Sequence, residues 1–139
     1  MADLKLIREI AGRVRAEMVS EDEPPTARCL ECARALVKEL QRNKVRARVV
    51  SGTFAVDNPD PENYDEWNPN DFDSEDEMED AKHHPLHYWA EIISRPLLIV
   101  DISADQFNEE LDDEIEHMEP VVAGKYADLS RYRKKSVWR

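Results

Sequence analysis

His87-Tyr88-Trp89-Ala90-Glu91-Ile92-Ile93, then Ser94-Arg95-Pro96, then Leu97-Leu98-Ile99-Val100-Asp101-Ile102, is the stretch that decides the fold. Two runs rich in aromatic and β-branched residues, separated by a short turn containing proline, predict an antiparallel hairpin. The unbroken apolar run Leu97 to Val100 predicts a strand covered on both faces.

Working outward, Val45 to Val56 is a further predicted strand, with Val45, Ala47 and Val49 alternating against Arg46 and Arg48. Ahead of it, Leu4, Ile7, Ile10, Ala11, Val14 and Met18 recur at three- and four-residue steps, predicting an amphipathic helix over residues 2–19. Pro24-Pro25 interrupts the pattern. A second helix, capped by Thr26, buries Cys29, Ala33, Leu36, Val37 and Leu40 and ends near 41–44. Downstream, Asp105 to Met118 is expected to form a short surface helix or an ordered loop, and Glu119 to Ala123 a strand. The expected class is α+β, with N-terminal helices packed on a small antiparallel sheet.

At 139 residues the chain fits one domain with its own core. Its net charge of −12 is unevenly placed. Residues 57–82 hold twelve carboxylates and one base, Lys82, leaving 19 acidic against 18 basic residues elsewhere. With Pro59, Pro61 and Pro69, this stretch is expected to be a solvated acidic insertion, at about 57–83, in a nearly neutral domain. Asp71, Asp73 and Glu75 have the alternate spacing of a calcium loop, but Asp76 stands where glycine is needed and Lys82 where a bidentate Glu is needed. Residues 125–139 carry six bases against Asp128 and are expected to form a basic tail.

The acidic balance argues against duplex nucleic acid and anionic membrane as partners. No apolar run approaches the roughly 20 residues of a spanning helix, and the opening residues lack the apolar stretch of a signal peptide. A cytoplasmic protein is expected.

Cys29 opens a helix, His87 opens the first hairpin strand, and Asp101 ends the second. A helix N-terminus offers unpaired N–H groups and partial positive charge, which favour a thiolate. A histidine on a neighbouring strand can take the thiol proton, and a carboxylate on the paired strand can hold the imidazole in one tautomer. N–H groups at the helix start would stabilise the oxyanion.

In this order, Cys29 with Ala33 and Leu36, Arg48-Val49-Val50-Ser51-Gly52, His87-Tyr88-Trp89-Ala90-Glu91 and Asp101-Ile102-Ser103 resemble the transglutaminase-like branch of the papain-like cysteine enzymes. The resemblance covers about 26–107, interrupted by the acidic stretch. It implies a papain/transglutaminase-like core, Cys29 as nucleophile, His87 as general base and acid, and Asp101 as the orienting carboxylate. It further implies chemistry at an amide or isopeptide carbonyl of a protein or peptide, through a thioester, with no cofactor. A cationic substrate is favoured by the acidic stretch. Arg28 stands where the family often has a small residue, and no glutamine lies shortly before Cys29. Gln106 is the candidate second oxyanion donor, and Trp89 and Gly52 are candidates for positioning substrate.

The plainer readings are a buried Cys29 serving as a small hydrophobe, a core Trp89, and a β-bulge at Gly52. Cys29-Leu30-Glu31-Cys32 is also a Cys-x-x-Cys, although no strand precedes it as in thioredoxin-like proteins. The alternative from another class is a non-catalytic binding module on the same scaffold, with or without a structural zinc held by Cys29, Cys32 and two of His83, His84 and His87.

Overall fold

The computed structural model describes residues 3–20, 22, 28–56, 86–110 and 118–138. The expected acidic insertion and the expected cap Thr26 lie outside the described residues.

Helix α1 spans Leu4–Met18 and α2 spans Cys29–Arg42. Asp3 caps α1, its Oδ1 accepting from the N–H groups of Lys5 and Leu6 at 3.0 and 3.3 Å. The cap position of α2 is Arg28, with no side-chain cap bond, so Cys29 is the first helical residue. At the other end of α2, Val45 N–H donates to the Leu40 carbonyl and Lys44 N–H to that of Gln41, at 2.9 and 3.0 Å. This is the double closure that ends many helices, usually with glycine at the left-handed position. Here Lys44 holds it, at φ 62°.

Five strands, β1 (Ala47–Phe54), β2 (Leu86–Ile92), β3 (Leu98–Asp101), β4 (Val122–Lys125) and β5 (Tyr132–Val137), form one antiparallel sheet in the order β4-β3-β2-β1-β5. The hairpin and the strand before the acidic stretch are where the alternation put them, and all four residues of β3 are buried. Short 3₁₀ turns occupy Ala104–Glu110 and Tyr126–Asp128. The expected strand at 119–123 starts three residues later, as β4.

Part of the expected basic tail is a strand. Residues 132–137 form β5, paired with β1 from Val50 to Phe54. Charge made this segment look like a solvated end, but its backbone completes the ladder of β1, with Trp138 N–H also donating to the Val49 carbonyl at 2.9 Å. A bulge between Ser51 and Gly52 adjusts the register. A Cβ on Gly52 would stand 2.0 Å from the Arg133 carbonyl oxygen and 2.6 Å from the Trp89 ring. Glycine is therefore required for β5 to approach, and the space envisaged for substrate there is filled by backbone.

Alternation gives the sheet two buried faces. One carries Ala47, Val49, Ala90, Ile92, Leu98 and Val100, covered by the apolar stripes of α1 and α2. The other carries Val50, Phe54, Trp89, Ile99 and Val122, covered by Ala104, Phe107 and Tyr132. A short turn joins α2 to β1, so α2 runs back along the sheet. At about 1.5 Å per residue for α2 and 3.3 Å for β1, the two are nearly matched in length. The first turn of α2 therefore lies toward the sheet end where β1 finishes, β2 begins and β3 finishes. No helix among the described residues is long and apolar enough to cross a membrane.

Candidate active site

His87 and Asp101 meet on the second face. His87 Nε2 and Asp101 Oδ2 are 2.7 Å apart, and both side chains are essentially without solvent contact. The β2–β3 register sets Ala90 against Val100, which brings both side chains to one side of the sheet. Three further donors converge on the carboxylate. Tyr132 Oη–H donates to Oδ2 at 2.7 Å, and the Ser103 N–H and Oγ–H donate to Oδ1 at 2.9 and 3.1 Å.

Burial alone would raise the Asp101 pKa. The His87 charge and the hydrogen bonds from His87, Tyr132 and Ser103 outweigh burial and hold it below the ordinary carboxylate value. The Tyr132 hydroxyl is pushed well up, first by burial and then by the Asp101 charge, so it stays a proton donor. Asp101 accepts from Nε2–H, which leaves Nδ1 as the ring nitrogen that the carboxylate does not engage. Nδ1 is buried and has no hydrogen-bond partner among the described residues.

Aromatic rings hold the imidazole in place. The Phe107 ring centre lies 5.1 Å from that of His87, with Phe54 and Trp89 at 5.8 and 5.9 Å. The turn after Asp101 is anchored from α1, where Arg15 makes a two-pronged contact with Asp105 at 2.7 and 2.9 Å and donates to the Ile102 carbonyl at 2.7 Å. Tyr132, Ser103 in its capping role and Arg15 were not identified as site residues from sequence. Ser103, two residues beyond a strand-ending Asp, carried a usable signal, because such residues close Asx-type turns.

Cys29 is buried at the first position of α2, on the same helical stripe as Leu36 and Leu40. It thus approaches the His87 end of the sheet from the helix side, while the imidazole projects to the opposite face. Cys32, one turn on, is pushed up to about 11, by burial first and also by the Asp101 charge, against the lowering effect of Arg28. It is a protonated thiol. Neither cysteine is in a disulfide. Trp89 is fully enclosed and its indole N–H donates to Tyr126 Oη at 3.0 Å, which places it in the core. Gln106 donates from Nε2 to the Ser103 carbonyl at 2.9 Å.

For the zinc reading, His87 Nε2 is engaged by Asp101, and His83 and His84 lie outside the described residues. Among the described residues no group of three or more His, Cys, Asp or Glu side chains is placed to hold a metal ion.

A second buried charge sits four residues further along β2. Glu91 accepts from Tyr126 Oη–H at 2.5 Å, Arg48 Nε at 2.8 Å and Lys134 Nζ at 3.0 Å. Burial would raise its pKa, but these donors together lower it. The same burial and the Glu91 carboxylate push the Tyr126 hydroxyl far up.

The chain matches no protein-family model, no curated protein and no solved structure in these three comparisons.

Proposed function

We propose that this chain is a thiol-dependent hydrolase or acyltransferase on a papain/transglutaminase-like core, acting on an amide or isopeptide carbonyl of a protein or peptide. The observation that carries the reading is the buried His87–Asp101 pair, with Nδ1 left without a partner among the described residues, at the sheet end toward which α2 presents Cys29. A buried basic nitrogen with no donor is costly unless something else uses it.

In the proposed reaction, which takes place around the end of the sheet where β2 begins, Nδ1 takes the Cys29 thiol proton and the sulfur attacks the carbonyl carbon. The tetrahedral intermediate collapses with loss of the C–N bond, and the departing amine takes the proton from Nδ1. A thioester remains. Water or an amine then attacks it, giving up a proton to Nδ1, and the C–S bond breaks to return the thiolate. Asp101, held charged by Tyr132 and Ser103, stabilises the imidazolium formed in each half.

The test is alkylation of Cys29 in the folded chain as a function of pH. Labelling half-complete at a pH well below about 8.5, the ordinary thiol value, and returned to that value in His87→Ala, is expected. A midpoint at or above the ordinary value overturns the reading.

One observation favours a second reading, a non-catalytic binding module on the same scaffold. Cys29 and His87 are 1% and 0% exposed, so the site as it stands is closed to a large substrate. In that case Cys29 labels slowly at every pH, and His87→Ala leaves the rate unchanged. Stoichiometric zinc in the purified protein would assign Cys29 and Cys32 to a metal centre.

A further inference from the structure

At the end of the sheet away from His87, between the start of α1, the end of α2 and the β2–β3 turn, lies an open cavity of about 550 Å³. Leu6, Val45 and Ile93 contribute apolar surface to it, and Lys44, Arg46 and Arg95 stand at its edge. A second cavity of about 320 Å³ shares Lys44, Val45, Arg46 and Ile93 with the first. The two are parts of one groove crossing the α2–β1 connection.

The three cations are exposed, and none forms an ion pair with a described residue. The one carboxylate in the lining, Asp3, is spent on capping α1. Like charges gathered without a counterion repel one another, and an anion between them relieves that cost. A cavity of about 550 Å³ with Leu6, Val45 and Ile93 in its lining suits a peptide segment better than a small ion. Leu6 is 39% exposed, which leaves apolar surface uncovered.

We propose that this groove docks an acidic peptide segment of a partner protein, its carboxylates meeting Lys44, Arg46 and Arg95 and its interleaved apolar side chains meeting Leu6, Val45 and Ile93. The site is separate from the His87 end, so it stands or falls independently of the thiol chemistry.

The experiment is fluorescence anisotropy of a labelled synthetic peptide alternating Glu with Leu, titrated with the full chain. Controls alternate Lys with Leu, and Glu with Gly. Saturable binding of the Glu-Leu peptide is expected, at least about tenfold tighter than either control. The double variant Arg46→Glu, Arg95→Glu should weaken it about tenfold or more, as should raising salt from about 0.05 M to about 0.3 M. Thermal melting of the double variant should be unchanged, since both side chains are exposed and unpaired, so lost binding is not lost folding.

Absence of binding, equal binding of the Glu-Gly peptide, or indifference to the double variant overturns the proposal. Binding that emerges only after Asp76, Glu77, Glu79 and Asp80 are changed to their amides also overturns it, since the groove would then be held by this chain's own acids.

Discussion

His87 and Glu91 project from the same strand to the same face, four residues apart, with the Trp89 ring between them. Both are fully buried, yet their surroundings differ. Glu91 is met by a hydroxyl, a guanidinium and an ammonium, and the latter two reach solvent, with side-chain exposures of 35% and 31%. Its charge is compensated on every side. His87 has one nitrogen satisfied by a saturated carboxylate and the other with no partner. Buried polar groups in a purely structural cluster are normally all paired. The contrast separates a fully compensated cluster from a pair in which one ring nitrogen has no partner among the described residues.

The largest effect is expected where both clusters are struck together. Gly52→Ala drives a Cβ into the Arg133 carbonyl and forces β5 away, and with it Lys134 from Glu91 and Tyr132 from Asp101. A loss of about 3 kcal/mol or more in urea unfolding is expected. A loss under about 1 kcal/mol would mean that β5 does not hold the two clusters.

Next comes Glu91→Ala, which leaves Arg48 and Lys134 facing each other without their anion. About 3 to 5 kcal/mol is the usual cost of breaking a buried charge cluster. The expected value lies at the lower end, because both cations can turn to solvent. His87→Ala should cost less in stability while returning the midpoint of Cys29 labelling to the ordinary thiol value. The two clusters are not distinct in kind if Glu91→Ala slows labelling as much as His87→Ala does.

A third expectation concerns acid. The fold lowers the pKa of both Glu91 and Asp101 below the unfolded-chain values of about 4. The stability they contribute is fully present above about pH 4 and is lost as pH falls through the lower folded values. Melting temperature should drop on the acid side in that window. Glu91→Gln should remove part of the drop and leave the part due to Asp101, and an identical acid limb in the variant would exclude Glu91 from it.

The smallest effect lies outside both clusters and serves as their control. Lys44→Gly removes a side chain from a left-handed position and should stabilise by about 1 kcal/mol without touching labelling or the acid limb.

Much of this architecture could be read from residue order. The periods of 3.6 and 2 located both helices, β1 and the hairpin, because each buries a clear stripe or face. The short turn after Ser94 was enough to bring His87 and Asp101 into one neighbourhood. Three things were not legible. Residues 132–137 carry Arg133, Lys134 and Lys135 and only Tyr132 and Val137 as apolar strand formers, so charge masked a strand whose reason for forming is the open edge of β1. The face to which His87 points was hidden because Trp89, Ala90 and Ile92 are buried on both sides of β2, and parity alone does not label a face. Tyr132 reaches Asp101 only through β5, a pairing that no local pattern encodes.

A sheet with free edges invites other strands to join it. At one edge β4 is four residues long and offers little backbone to a newcomer. At the other, β5 exposes Arg133 and Lys135, so a second copy adding itself there in antiparallel fashion would set cations against cations. The segment that supplies Tyr132 and Lys134 to the interior thus also limits edge-to-edge aggregation, while an acidic strand would meet no such repulsion.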